Sequence, residues 1–210
     1  MKLKSKPPTQ EDLNEAKDLA TKWARTRLSE PTRTLIIDTE TTGILSKDPD
    51  TEICQITIIN VFGRPVLNML LKPSKPITLE LTKIHGIDQQ MVLQSPTFAQ
   101  VAEILCDIIE GKHLVAYNAS FDIHLIVHLL TKYGFQVPEF DTSCCMEEYA
   151  RWCGEWSSQK GDWKWQKLPK LAYGSAHDSF TDALSTLMLM KKMVGDFSDE
   201  PSPDDVDLDF

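Results

Sequence analysis

A run of three aliphatic residues, 35–37, leads directly into two carboxylates spaced one residue apart, Asp38 and Glu40. Because side chains alternate along a strand, Asp38 and Glu40 point to the same side. Two like charges side by side at the end of a core strand are costly unless a cation lies between them. The stretch therefore predicts either a buried strand that carries half of a cation site or a strand that simply ends in a polar turn.

The bulk composition is that of an ordinary globular domain. The 210 residues are 41% hydrophobic and 25% charged, which suits one domain with extensions. No apolar run approaches the ~20 residues of a membrane-spanning helix, and the basic N-terminus lacks the apolar stretch of a secretory signal. Five cysteines, an odd number, do not indicate a disulfide framework. We expect a cytoplasmic protein with reduced thiols and no membrane partner.

The net charge of −9 is concentrated near the C-terminus. No basic residue follows Lys192, whereas acidic residues continue to Asp209. The body of the chain is therefore closer to neutral, and cations would balance any carboxylates of an active site. The total charge does not exclude a nucleic-acid partner.

The order of predicted elements indicates an α/β domain with a mixed sheet, because a three-stranded meander precedes alternating helices and strands. The predicted strands are 34–39, 53–62, 66–71, 114–117 and one that ends near residues 140–142. The predicted helices are 11–28, 78–83, one beginning at Asp88, 97–109, one through Tyr133, one to about Trp152, and 178–193. We expect an N-terminal extension over residues 1–31, a domain over 32–194 and an acidic, disordered tail over 195–210. Helix 11–28 has an apolar stripe for either the body or a partner.

Two further acids occupy places where a strand gives way to a helix. Asp122 follows the strand 114–117, and Asp182 lies in the first turns of the last helix; α/β proteins usually place their sites at such junctions. With Asp38 and Glu40 they make four carboxylates, the number that a pair of divalent cations needs. All-oxygen ligation favours Mg²⁺ or Mn²⁺, and two such ions promote in-line phosphoryl displacement.

His177 lies five residues before Asp182. Within a helix, that spacing would turn it ~140° away from Asp182. We therefore place His177 in the loop before the helix, with Asp178 as the N-cap. A loop histidine suits a general base, although most loop histidines are simply solvated.

These residues belong to four short motifs. They are Asp38-Thr39-Glu40-Thr41-Thr42-Gly43, Glu80-Leu81-Thr82-Lys83-Ile84-His85-Gly86-Ile87, Asn118-Ala119-Ser120-Phe121-Asp122 and His177-x4-Asp182. In this order and spacing, the chain resembles the DnaQ-like 3′–5′ exonucleases of the DEDDh class over residues 32–194. It is most similar to the proofreading (epsilon) subunits of bacterial replicative polymerases (DNA polymerase III). The resemblance implies a ribonuclease H-like fold, a mixed five-stranded sheet flanked by helices.

The resemblance also implies a role for each matched residue. Asp38, Glu40, Asp122 and Asp182 would bind two divalent cations, and His177 would deprotonate the attacking water. The implied substrate contacts are Thr41, Glu80, Ile84, His85, Asn118 and Phe121. The implied reaction is hydrolysis of the 3′-terminal phosphodiester to release a nucleoside 5′-monophosphate.

Two segments stand outside the resemblance. Tryptophans and lysines are interspersed over residues 156–170, which is typical either of a surface that binds a single strand or of a packing loop. The tail is a solvated acidic end or, with its terminal Phe210, a peptide that binds a replication protein.

Three functions remain in competition. The motif at Asp38 favours single-stranded DNA as the substrate, in proofreading or repair, and a 3′ exoribonuclease is the alternative enzyme. A catalytically inactive adaptor that binds nucleic acid is the alternative of another class. It predicts a missing carboxylate, and none of the four is missing.

Overall fold

A computed structural model describes residues 7–169, 171 and 178–196. In chain order the elements are α1 (Gln10–Leu28), β1 (Thr34–Thr41), β2 (Ile53–Asn60), β3 (Pro65–Leu70), α2 (Leu79–His85), α3 (Phe98–Ile109), β4 (His113–Ala116), α4 (Ala119–Lys132), β5 (Asp141–Cys144), α5 (Cys145–Cys153), β6 (Trp156–Ser157), β7 (Asp162–Trp163) and α6 (Ser179–Met193). These elements follow the predicted order except at Asp88, where no helix forms, and at β6 and β7, which were not predicted. Thr9 and Asp178 cap α1 and α6.

The first five strands form one mixed sheet in the order β3-β2-β1-β4-β5. The meander β1-β2-β3 is antiparallel, whereas β4 and β5 run parallel to β1. Strand β1 stays paired with β2 as far as Thr41, but its pairing with β4 ends at Ile36 and Val115. The sheet therefore opens between β1 and β4 at the carboxyl ends of both strands, the edge at which α/β folds place their ligands.

Helices cover both faces of the sheet. Alternation along β1 turns Leu35 and Ile37 toward α3 and α4, and Ile36 toward α1, α5 and α6. These three side chains are buried, since each lies between the sheet and a helical layer. Asp38 and Glu40 continue the face of Ile36, so they point toward α6.

The N-terminal helix α1 packs on the body of the protein. Its buried residues, Ala16, Ala20 and Ala24, are small and allow close approach to α5 and α6. Trp23 Nε1 donates to Ser143 Oγ over 3.1 Å, which links the helix to β5. The sequence left open whether this helix packs on the body of the protein or on a partner. In the structure it packs on the body.

The helix predicted to begin at Asp88 is wrong. Residues 89–94 form consecutive turns, in which Asp88 Oδ1 accepts hydrogen bonds from the backbone N–H groups of Gln90 and Met91. The Gln89 side chain accepts from the Ile77 backbone N–H over 3.1 Å. These local and long-range bonds hold the backbone in turns, and Pro96 leaves little length for a helix.

The cysteines are reduced in the structure: all five are free, as their odd number indicated. In the part of the chain that the structure describes, no helix has the length and the hydropathy needed to cross a membrane.

Candidate active site

Three carboxylates converge where β1 leaves the sheet. Asp38 and Glu40 come from β1, and Asp182 comes from the first turn of α6. One oxygen of each lies within 4.8 Å of the others. They open into a cavity of about 480 Å³, a volume within the range of ligand sites. Its lining residues are Asp38, Thr39, Glu40, Tyr117, Asn118, Phe121, Asp122, Lys167, Leu168 and Asp182.

The start of α6 is bonded to β2, which fixes the position of Asp182. Gln55 is the cross-strand partner of Glu40. Its side chain donates to Asp178 Oδ1 over 3.0 Å and accepts from the Ser179 backbone N–H over 3.3 Å. Asp178 also caps the helix by accepting from the Thr181 backbone N–H. Asp182, one turn later, is therefore directed at the strand that carries Asp38 and Glu40.

Asp122 reaches the same cavity from α4, on the other side of the opening. It is buried, with 4% of its surface exposed. Its Oδ1 accepts a hydrogen bond of 2.7 Å from Thr39 Oγ1. Asp122 lies in the first turn of its helix, where the dipole favours a negative charge. The structure thus brings all four predicted carboxylates to one cavity, although the cluster of mutually close oxygens contains only Asp38, Glu40 and Asp182.

The crowding of these acids disfavours their ionised forms. Burial, followed by the charges of Asp122 and Asp182, raises the pKa of Asp38 well above its ordinary value. Burial, followed by the charges of Asp182 and Asp122, raises the pKa of Glu40 to about 8. Burial raises the pKa of Asp122 to about 7, although the hydrogen bond from Thr39 opposes the rise. A divalent cation would reverse these shifts by stabilising the anions.

The predicted substrate contacts fall into two groups. Asn118 and Phe121 line the cavity. Glu80, Ile84 and His85 lie on α2, outside the lining; Glu80 and Ile84 are exposed.

Two of the predicted contacts are buried. His85 Nδ1 accepts from the Ile87 backbone N–H over 3.1 Å, and its Nε2 lies 3.9 Å from Cys54 Sγ. The Thr41 hydroxyl donates to the Gly43 carbonyl over 2.7 Å.

The predicted general base, His177, lies outside the described residues. The residue after it, Asp178, is the N-cap of α6, and its carboxylate contributes to the raised pKa values of Asp38 and Glu40.

Sequence reasoning did not assign four of the lining residues to the site: Thr39, Tyr117, Lys167 and Leu168. Tyr117 directly follows β4, and its hydroxyl donates to the Gln166 carbonyl over 2.8 Å. This bond holds Gln166, 49 residues after Tyr117, and the next two residues, Lys167 and Leu168, line the cavity. For Lys167 and Leu168, the only signal in the sequence was the aromatic-basic composition of residues 156–170.

Comparisons with known proteins agree with this geometry. Of two curated relatives, the uncharacterized exonuclease CP81 of Escherichia phage 186 is 36% identical over 166 residues, which cover 73% of this chain and 84% of the phage protein. The DNA polymerase III epsilon subunit of Escherichia coli K12 is 33% identical over 120 residues, 54% of this chain. The match covers 49% of that subunit, so the chain spans about half of its length.

A solved structure and a family model complete the comparison. Escherichia coli Exonuclease I in complex with a dA16 oligonucleotide has a TM-score of 0.59 at 16% identity, over 76% of this chain and 41% of that one. This likeness concerns the fold, and it confirms the predicted ribonuclease H-like sheet. The exonuclease family model RNase_T matches residues 35–190. The chain therefore belongs to the exonuclease family, and the predicted class of enzyme, a 3′–5′ exonuclease, is confirmed.

Proposed function

We propose that the protein hydrolyses the 3′-terminal phosphodiester of single-stranded DNA and releases nucleoside 5′-monophosphates, in proofreading or repair. The observation that supports this most directly is the convergence of Asp38, Glu40 and Asp182 in a cavity that Asp122 also lines. Carboxylates grouped in this way are the usual ligands for the cations of phosphoryl-transfer sites.

The residues present fit two divalent cations, Mg²⁺ or Mn²⁺. Asp38, Glu40 and Asp122 make no ion pair within the described residues, and burial, with a smaller contribution from neighbouring acids, raises their pKa values. The donor set is all oxygen, which these cations prefer. Asp38, Glu40, Asp122 and Asp182 would hold them. Two bound cations supply Lewis-acid chemistry that activates water and offsets charge on the phosphate oxygens.

The other site residues orient the substrate and move a proton. His177 takes the proton of the attacking water, and this role rests on the family resemblance. Asn118 and Phe121 form the wall of the cavity beside Asp122. Thr41, Glu80, Ile84 and His85 contact the terminal nucleotide, a role that the matched motifs support.

The choice of DNA and the domain limits are also part of the proposal. The named relatives include a DNA polymerase III subunit, which supports a DNA substrate and a replication partner. The C-terminal tail, residues 195–210, is the segment proposed to bind such a partner. The exonuclease domain is proposed to span residues 32–194, preceded by the extension 1–31, whose helix α1 packs on it.

The test uses DNA and RNA oligonucleotides of one sequence, labelled at the 5′ end, with Mg²⁺. We expect a ladder shortened from the 3′ end of DNA, with nucleoside 5′-monophosphates as products, and no ladder for Asp38→Ala. Faster shortening of RNA would replace DNA with RNA as the substrate. Two intact substrates with the wild-type protein would reject the enzymatic proposal in favour of a binding adaptor.

A further inference from the structure

A small hairpin is followed by a segment that reaches the cavity through Lys167 and Leu168. Strands β6 and β7 pair Trp156 with Trp163, whose rings meet edge to face with centroids 5.4 Å apart. These two tryptophans therefore stabilise the hairpin itself. Lys164 pairs with Glu155 across the hairpin over 2.8 Å. The sequence left two interpretations of residues 156–170 open, a surface that binds a single strand and a packing loop. Trp156 and Trp163 have the packing role.

Trp165 differs from Trp156 and Trp163. It belongs to neither strand of the hairpin, and 54% of its surface is exposed. Lys160 Nζ lies 4.5 Å from the centroid of its ring. Lys160 makes no ion pair within the described part of the chain. An exposed indole with a lysine over it is the combination that binds nucleotides by stacking and charge.

The exposed tryptophan is close in sequence to a residue of the cavity. Lys167, which lines the cavity, is only two residues from Trp165, so their Cα atoms lie within ~7 Å. The bond from Tyr117 to the Gln166 carbonyl fixes the residue between them. We call Lys160, Trp165 and Lys167 the tryptophan platform.

Resting on the proposed function, we propose that the tryptophan platform binds the single strand upstream of its terminal nucleotide, with a base on Trp165 and phosphates at Lys160 and Lys167. The cavity itself is lined by four carboxylates, whose charge the proposed cations would offset without attracting the rest of the strand. Lys160 and Lys167 supply positive charge for that part of the strand, which increases the rate and strength of binding to a polyanion. Stacking on an indole holds the strand without regard to its base sequence, as an exonuclease that advances along a strand requires.

The test measures the binding of a 5′-fluorescent single-stranded DNA with phosphorothioate linkages at its 3′ end, which resist hydrolysis, by anisotropy in Mg²⁺. Trp165→Ala is expected to weaken binding roughly 5- to 150-fold, and Trp165→Phe to retain most of it. Lys160→Met is expected to reduce the slope of log K against log salt by about 0.7. The matched control is Lys17→Met, which removes a lysine 4.9 Å from the ring of Trp152; its binding is expected to equal that of the wild type.

Hydrolysis of the p-nitrophenyl ester of thymidine 5′-monophosphate separates this inference from the proposed function. This ester is small enough for the cavity alone, so Trp165→Ala is expected to keep the wild-type kcat/KM for it. Trp165→Ala that binds DNA within twofold of the wild type, or Lys17→Met that loses as much, would overturn the platform. A wild type that binds DNA through Trp165 but hydrolyses no substrate would support the platform and overturn the proposed function.

Discussion

Replacing Glu40 with glutamine distinguishes the destabilisation of the fold by clustered carboxylates from their proposed role in binding cations. In the folded protein, burial and the charges of Asp182 and Asp122 raise the pKa of Glu40 from 4.5 to about 8. One pKa unit equals about 1.4 kcal/mol, so the ionised side chain destabilises the cation-free fold by at most about 5 kcal/mol. Glu40 keeps partial contact with solvent, and screening reduces this to roughly 2–3 kcal/mol.

The sign of the pH dependence follows from the direction of the shift. Because the pKa is higher in the folded state, the folded protein binds more protons than the unfolded chain between pH 4.5 and about 8. Stability therefore falls as pH rises through this window. Glu40→Gln has no such proton to lose. Without cations it should equal the wild type at pH 4.5 and exceed it at pH 9 by roughly 2–3 kcal/mol, or about 5–10 °C in Tm.

Bound cations should remove the stability advantage of Glu40→Gln. At 100 times its Kd, a ligand adds about 2.7 kcal/mol to the wild type, whereas Glu40→Gln lacks one proposed ligand. The assay is thermal unfolding by circular dichroism from pH 4.5 to 9, in EDTA and in Mg²⁺. Glu103→Gln, at an exposed position of α3, is the control and should follow the wild type. A Glu40→Gln variant that is no more stable than the wild type at pH 9 in EDTA would refute this reasoning.

Three shorter predictions concern the supports of the site and the core. Thr39→Val removes the hydrogen bond to the buried Asp122 carboxylate and should lower the free energy of unfolding in urea by about 1–3 kcal/mol. An unchanged free energy of unfolding would show that this bond does not stabilise the fold. Asp178→Ala removes the cap of α6 and should cost about 1 kcal/mol relative to Asp178→Asn, which can still cap; equal stability of the two variants would show that the cap contributes nothing. Ala20→Leu should cost about 1–3 kcal/mol, because Ala20 is fully buried against the body, whereas Leu19→Ala, at an exposed neighbour, should change stability by less than about 0.5 kcal/mol.

The strand that carries Asp38 could be predicted because its signals are local. Three aliphatic residues mark a core strand, and the period of two places Asp38 and Glu40 on one face. Asp122 and Asp182 were also predictable, since each lies in the first turn of a helix with a recognisable start. The mixed sheet followed from the order of these elements.

The rest depends on contacts between distant segments. Strands β6 and β7 have two residues each, too short for any periodicity to show. Lys167 joins the cavity through the bond between Tyr117 and Gln166, which no local pattern encodes. Asp88 was a misleading helix start, because its side chain closes a turn instead.

The central claim is that the carboxylates of Asp38, Glu40, Asp122 and Asp182 form one centre for divalent cations. The most direct test is to count bound Mn²⁺ by electron paramagnetic resonance during titration of the full chain at pH 8. We predict two Mn²⁺ per wild-type chain and a loss of binding in Asp38→Asn, with the fold unchanged by circular dichroism. A wild type that binds no Mn²⁺, or an Asp38→Asn variant that binds as many ions as the wild type, would contradict the account.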